Sequence, residues 1–397
     1  MKSTKTIGGC TLAHVAASVA LSAAFAAALC VVPGDARAQS SITLSGILDS
    51  GLLYTNNSGG HSSWTATSGQ LVPSRWILTG TEDLGAGMRT VFRLVSPFSI
   101  QTGKGTGRAF NIAYVGLASD RYGTLTAGRQ WDTTIDTVSS FASNESWAGY
   151  IGSHVGDADN TNTSFKVNNA VKYASPVIAG LTFGGTYGFS NQSADSQGNS
   201  GFANNRLMSA GAAYQHGPFA AGVGFLQADR PDAQSGGAVG TSGSGIADDY
   251  ANTFSLSNAS KAGVLRQRIW LAGASYRMDA VTVGGLYSKV QYHYLDSTAL
   301  TLDNYEINLS WLISPAWQTG IAYVRTNGRY SGTGTGNAQP GWDQVNLGTL
   351  YFLSKRTTLY LIAVAQQGRH ADAQIYRVGS SISNRQLVIT SGIRHAF

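Results

Sequence analysis

The chain has 397 residues, of which only 12% are charged, with a formal net charge of +6, 49 glycines, 8 Trp, 18 Tyr and 14 Phe. That charged share is about half of what an ordinary soluble surface carries, and the mild positive balance, without a basic tract, excludes nucleic acid as an expected partner. Cys10 and Cys30 are the two cysteines and both sit near the start, so no disulfide scaffold, thiolate metal site or cysteine nucleophile is expected in the remainder.

Residues 1–38 read as a cleaved signal peptide. Lys2 and Lys5 give a basic start, Val15 to Val32 is rich in Ala, Leu and Val, and Ala36-Arg37-Ala38 supplies the small–x–small pattern that a signal peptidase cuts after. Leu29 stands before Cys30 where a lipoprotein leader needs a small residue. Residues 39–397 then read as a single domain. Nothing in them approaches the ~18 consecutive apolar residues of a spanning helix. An exported chain with few charges, many glycines and aromatics and no apolar helix fits one membrane architecture. In lipid every backbone polar group must pair internally, and without helices only a closed barrel achieves this.

The first strand pattern, Ile42 to Tyr54, sets Ile42, Leu44, Leu48, Leu52 and Tyr54 against Thr43, Ser45 and Asp49. A polar loop is expected over 55–72. From Ser74 to Thr81, Trp76, Leu78 and Gly80 share one face and Arg75, Thr79 and Thr81 the other. Arginine recurs on the polar face at Arg75, Arg89 and Arg93. A soluble sandwich would hold the apolar face inward, whereas a membrane barrel turns it to lipid and lines a wet lumen with the arginines. Shorter strands follow at Ala113–Leu117 and Thr124–Gln130. Over 132–166 no strand pattern survives, only scattered acids (Asp132, Asp136, Glu145, Asp157, Asp159), aromatics and small residues.

Alternation resumes at Asn168–Ala174 and Leu181–Phe189, then near 206–216, 218–228, 266–278, 281–294, 303–313, 316–328, 342–354, 357–367 and 384–397. Connections alternate in length. Short ones fall at 82–87, 119–123, 175–180, 216–218, 278–280, 314–316 and 354–357, and long ones at 55–72, 132–166, 191–205, 230–264, 329–341 and 368–383. An even strand number with short turns at one rim and long loops at the other indicates an all-β fold, a sixteen-stranded antiparallel transmembrane barrel. Tyr54, Trp76, Trp270, Trp311, Trp317 and Tyr323 lie near strand ends, where interfacial aromatic girdles are expected.

Several motifs carry a family resemblance. Thr43-Leu44-Ser45-Gly46-Ile47-Leu48-Asp49-Ser50-Gly51 is similar to an opening "TLYGxxDxG", and Ser74-Arg75-Trp76 through Glu82-Asp83-Leu84-Gly85 to "SRxGxxGxEDLG". Ala113–Leu117 with Gly128-Arg129-Gln130 resembles "AYVGL…GRQ", Leu353–Tyr360 resembles "LSKRTxLY", and Gly392–Phe397 resembles "GxRHxF". Together these resemble the trimeric general-diffusion porins of Gram-negative outer membranes over nearly the whole of 39–397. The resemblance implies short periplasmic turns, long extracellular loops, and a third loop, about 132–166, folded into the barrel. It implies a passive water-filled channel for small hydrophilic solutes and ions, with no catalytic residue, cofactor or metal. The implied partners are two further copies in a homotrimer, lipopolysaccharide and phospholipid of the outer membrane, and the barrel-assembly machinery reading a last strand that ends in Phe397. Early strands would form the subunit interface, with Gly80, Gly116 and Gly128 lightening that side.

Arg75 and Arg129 match the family's basic pore wall, and Lys166 stands where the family usually carries Arg. Arg93 joins them by strand parity alone. Asp132, Asp136 and Glu145 would face this wall from the loop, and Asp49 would face the lumen. Val95 replaces an acid usual in the family, and Asn111-Ile112 replaces Arg-Gln. Four cations against at most three acids predict a modest anion preference. Two alternatives remain: a solute-specific channel of the same fold, and an outer-membrane barrel hydrolase. No His-Glu-x-x-His or Gly-x-Ser-x-Gly is present, and Asp157 near His154 reads as a pair of solvated loop residues.

Overall fold

The computed structural model describes residues 40–105, 109–191, 201, 204–231, 233, 237–240 and 263–397; the expected leader lies outside these residues. The strands are β1 (Ser41–Ser58), β2 (His61–Ser68), β3 (Arg75–Gly85), β4 (Met88–Pro97), β5 (Ile112–Ser119), β6 (Gly123–Gln130), β7 (Val167–Ala174) and β8 (Leu181–Gly188). They continue as β9 (Arg206–His216), β10 (Phe219–Asp229), β11 (Val264–Met278), β12 (Val281–Tyr294), β13 (Ala299–Ser314), β14 (Trp317–Ser331), β15 (Gly341–Phe352), β16 (Thr357–Arg369) and β17 (Arg385–Ala396). Neighbours pair antiparallel, and β1 meets β17 from Ile47↔Ala396 to Thr55↔Val388, which closes the sheet.

Seventeen segments make sixteen staves, because β1 pairs with β2 through Ser50–Ser58 and with β3 through Ser41–Ile47. The expected polar loop over 55–72 is therefore corrected. β1 and β2 continue as a hairpin to Gly59-Gly60, held by the Tyr54–Trp64 ring pair at 5.0 Å, and only Gly69–Ser74 leaves the ladder. The Ser/Thr-rich run Ser62–Ser68 looks like loop by polarity, yet Thr65 and Thr67 are good strand residues and Trp64 gives them a partner.

Burial along the strands is inverted relative to a soluble sheet. On β13, Tyr305 and Ile307 are 48% and 60% exposed on the outer face, while Asn304 and Glu306 are 1% and 5% exposed within. Trp270, Trp311, Trp317 and Tyr323 are likewise exposed outside, and Tyr54 and Trp76 only partly so. Of the glycines expected to lighten the outer face, only Gly80 does so, its missing Cβ making room for the Phe92 ring. Gly116 alternates with exposed Val115 and faces the lumen. Gly128 sits at φ 130°, at the register shift between Gly128 and Gln130.

The segment between β6 and β7 turns into the barrel. It contains helix α1 (Thr133–Thr137), 3-10 turns at Ser139–Phe141, Tyr150–Gly152 and Val155–Asp157, and a π turn at Asn144–Ala148. It lies against two stretches of inner wall. On β9–β11 the glycines Gly211, Gly222 and Gly273 leave room for Thr137 and Phe141, and on β14 and β15 Gly320 and Gly348 lie beneath Trp147. A Cβ at Gly348 would stand 2.6 Å from the fully buried Trp147 ring, so a side chain there lifts the indole. Wall amides complete the docking. Asn308 Nδ2 donates to Phe141 O at 2.8 Å, Asn346 Nδ2 to Gly152 O at 2.9 Å and Gln267 Nε2 to Ala158 O at 2.8 Å.

Candidate pore constriction

Arg75 opens β3 beside the Gly69–Ser74 break, and Arg93 lies on neighbouring β4 with the same inward parity, in the register Thr79↔Arg93. Lys166 directly precedes β7 and donates from Nζ to Thr163 O at 2.8 Å. With Arg377, these three line one cleft of about 100 Å³ that also includes Trp131, Tyr150, Asn111 and Val95. β4 contains no Asp or Glu, and with Val95 at this wall position no carboxylate counters the arginines from that strand. The Nε atoms of Arg75 and Arg93 are buried and meet no protein acceptor.

Arg377 comes from the connection between β16 and β17, which also turns inward. Ile375 of that connection is buried, its N–H donating to Gln386 Oε1 at 2.8 Å, and Trp342 Nε1 donates to Asp372 O at 2.9 Å. This fixes the Arg377 guanidinium 4.2 Å from the centre of the Tyr150 ring, a cation–π contact to the inward loop. Sequence periodicity missed Arg377, since nothing in a Gly/Ser-rich connection tells which side chain turns inward. It also passed over Arg394, which lies on β17 opposite Asp49 on the inner face, although alternation with exposed Ile393 could have shown it.

Of the three expected loop acids, Glu145 is the one whose charged neighbours are Arg75 and Lys166. Glu145 is open to the lumen, yet the protein packed around it desolvates the carboxylate and raises it to about 7, against the opposing pull of Arg75 and Lys166. Asp136 forms an ion pair with Lys172 of β7, in an adjoining cleft that Arg93, Ile112 and Trp131 also line. Asp132 caps α1, accepting from Thr134 N at 2.8 Å and from Asn160 Nδ2 at 3.0 Å. Arg129 lies outside the cleft. Its Nε donates to Asn111 O at 3.0 Å and its guanidinium also meets Asn168, tying β6 to the starts of β5 and β7. Asp49 points inward but is sealed, accepting from Leu71 N at 3.0 Å, Val72 N at 2.9 Å and Tyr360 Oη at 2.7 Å. Arg129, Asp132 and Asp49 thus use their polar atoms within the architecture, while Asp136, 42% exposed at the side chain, shares its cleft with Arg93.

The pair Asp157 and His154, expected to be solvated, is buried. His154 is clamped between Asp159 (Nδ1 to Oδ2, 2.6 Å) and Glu306 of β13 (Nε2 to Oε2, 2.9 Å), with all three fully buried at the side chain. Burial alone would lower the imidazole, but the two carboxylates outweigh it and push His154 up to about 10. Ser288 donates to Asp159, and Glu306 Oε1 accepts from Ser143 N at 2.6 Å and from Asn308 Nδ2 at 2.8 Å. A serine, a histidine and acids therefore meet here, with the serine hydrogen-bonded to Asp159 and all of them buried. The cluster fastens the loop to the wall. Among the described residues no group of His, Cys, Asp and Glu is placed to hold a metal ion.

A family model described as Gram-negative porin matches residues 23–370. An outer membrane porin protein of Bordetella pertussis is 29% identical over 362 residues, which cover 84% of this chain and 91% of the relative. Among solved structures, the anion-selective porin from Comamonas acidovorans superposes with a TM-score of 0.70 at 22% identity, over 90% of this chain and 100% of that one. The trimer form of the Vibrio cholerae outer membrane protein OmpT gives 0.66 at 14% identity, over 90% and 99% of the two chains.

Proposed function

The chain belongs to the Gram-negative porin family, and from that premise we propose that its constriction gives an outer-membrane diffusion channel a modest preference for anions. The protein is an outer-membrane porin, a water-filled passage for small hydrophilic solutes and ions. The observation that carries the preference is the cleft itself: Arg75, Arg93, Lys166 and Arg377 converge there, Glu145 stands beside Arg75 and Lys166, and Asp136 in the adjoining cleft is taken up by Lys172. Fixed charges a few ångströms from a permeating ion shift its energy by ~1 kcal/mol after screening, roughly a fivefold bias. That favours anions without shutting out cations.

The reversal potential of the purified protein in planar bilayers under a KCl gradient tests this. Wild type favours chloride, and Arg75→Ala with Arg93→Ala moves the potential toward that of an unselective pore. Cation preference in the wild type overturns the reading. The Comamonas relative is itself described as anion-selective, which supports it.

The assembly is a homotrimer in this reading, packed through the early strands, set in lipopolysaccharide and phospholipid, and inserted by machinery that reads the last strand. The trimer form of the Vibrio structure supports the subunit number. The channel needs no chemical step. A solute-specific version of the channel is favoured by one detail, the Arg75 and Arg93 Nε donors that meet no protein acceptor. Saturating block of conductance by one class of small oxyanion separates it from general diffusion.

A further inference from the structure

The inner wall of β3–β5 is apolar between its two arginines. In cross-strand register Ile77 of β3 faces Val95 of β4, and Val95 faces Ile112 of β5. All three share the inward parity of Arg75 and Arg93. Two residues further toward the short-turn rim lies the row Thr79, Arg93 and Tyr114. An aliphatic row therefore separates Arg75 from Arg93, whose levels in the ladder are four positions apart, about 13 Å at ~3.3 Å per residue.

Two clefts meet on this wall. The constriction cleft of about 100 Å³ and a second of about 380 Å³, nearer the short turns, share Arg93, Ile112 and Trp131. The second lies at the small end of ligand-pocket volumes. Tyr114, Ile112, Trp131 and Ala174 give it an apolar lining. Its Lys172 and Asp136 form an ion pair and cancel, which leaves Arg93 as the net charge among the described residues that line it.

An inorganic anion gains nothing from an aliphatic row and loses water beside it. A dicarboxylate would set its second charge against apolar side chains and Asp136. A zwitterion needs an available acid, and Asp136 is held by Lys172. A single carboxylate on an apolar body uses both parts of the wall. We propose that the two clefts form one subsite for small apolar monocarboxylates, the carboxylate on Arg93 at the junction and the apolar body against Ile112, Tyr114 and Trp131. This rests on the channel reading above and names the class of solute that the passage retains.

Block of single-channel KCl current in planar bilayers tests it, with benzoate, acetate, sulfate and phenylalanine as probes at mildly alkaline pH, where the carboxylates are fully ionised. Burying about half of a phenyl ring is worth roughly tenfold in affinity. Benzoate should therefore half-block wild type at roughly a tenth of the acetate concentration, and sulfate and phenylalanine should block more weakly than benzoate. In Ile112→Gln/Tyr114→Gln the advantage of benzoate over acetate should disappear. Arg93→Gln should weaken both together and keep their ratio. Benzoate no better than acetate in wild type overturns the subsite, whatever the variants do. An advantage that survives in conducting Ile112→Gln/Tyr114→Gln channels overturns it too. Sulfate stronger than benzoate overturns it in favour of a site built on charge alone, and phenylalanine equal to benzoate overturns it in favour of a zwitterion. Cation preference of the wild type in a KCl gradient would instead count against the channel's anion preference. Anion preference with equal benzoate and acetate block sinks this subsite alone.

Discussion

Glu145 stands on the lumen side of the inward loop with Arg75 and Lys166 as its charged neighbours, and desolvation by the surrounding protein lifts its carboxyl to about 7 despite them. An upward shift means that protonation sets in near neutrality, so the acid facing the wall is lost as pH falls through about 7. Anion preference should therefore rise on the acid side, read as a larger reversal potential. Glu145→Gln should show the acid-side value at every pH. Asp157 is also pushed up to about 7, by burial and by Asp159, but it is sealed behind the loop. A pH response that survives in Glu145→Gln would therefore assign it elsewhere. Arg377→Ala should lower the anion preference by about twofold without weakening the barrel, since its guanidinium sits on the surface of the loop. Arg75 and Arg93 were legible from strand parity because a period of two fixes the face. Arg377 was not, because its direction depends on how Ile375 and Trp342 pack, and no local pattern encodes that.

At the scale of elements, the inward loop is held by shape on one side and by charge on the other. Gly348→Leu should drive Trp147 from its place, at a cost of about 1–3 kcal/mol for overpacking. Unit conductance should change as the loop shifts, whereas an unaltered conductance would mean that the loop does not set the aperture. Glu306→Gln leaves His154 and Ser143 with a weaker partner, and breaking a buried pair costs about 3–5 kcal/mol. Protease cleavage within 131–166 should become faster while the barrel remains intact. The His154 shift is upward, so its contribution is complete below the ordinary imidazole range and is lost as pH rises toward about 10. The loop should resist protease through acid and neutral pH and yield only in strong base. From sequence this segment was visible only as a gap in the strand pattern. Its glycine-lined walls lie on β9–β11, β14 and β15, and only folding brings them together with it. The β1–β2 hairpin was missed for a different reason, since its polar Ser/Thr strand above the lipid has no apolar face to betray it.

For the whole molecule, closure rests on β1 and β17, and Phe397 exchanges both backbone hydrogen bonds with Gly46 at 3.0 Å. A Cβ at Gly46 would stand 2.8 Å from the Arg75 carbonyl and would meet the Phe397 ring, so the seam requires glycine there. Deleting Phe397 should reduce folded protein in the outer membrane and leave unit conductance unchanged, and the reverse pattern would make it a pore element. Strand number and orientation were legible because loop lengths alternate along the whole chain. The shared stave of β2 and β3 was not, because it depends on Asp49 drawing the backbone at Leu71 and Val72 out of the ladder. The His154 clamp also has a consequence in time. His154 and Glu306 are 152 positions apart in the chain, and contacts so distant form late. Until β13–β15 are in place, residues 131–166 have only their β9–β11 wall and lack the side that carries Glu306, Gly320 and Gly348. Seating of the loop should therefore be among the last steps of the protein's own construction, and a variant that slows completion of β13–β15 should pass through a stage in which the loop is open to protease while the early strands are already paired.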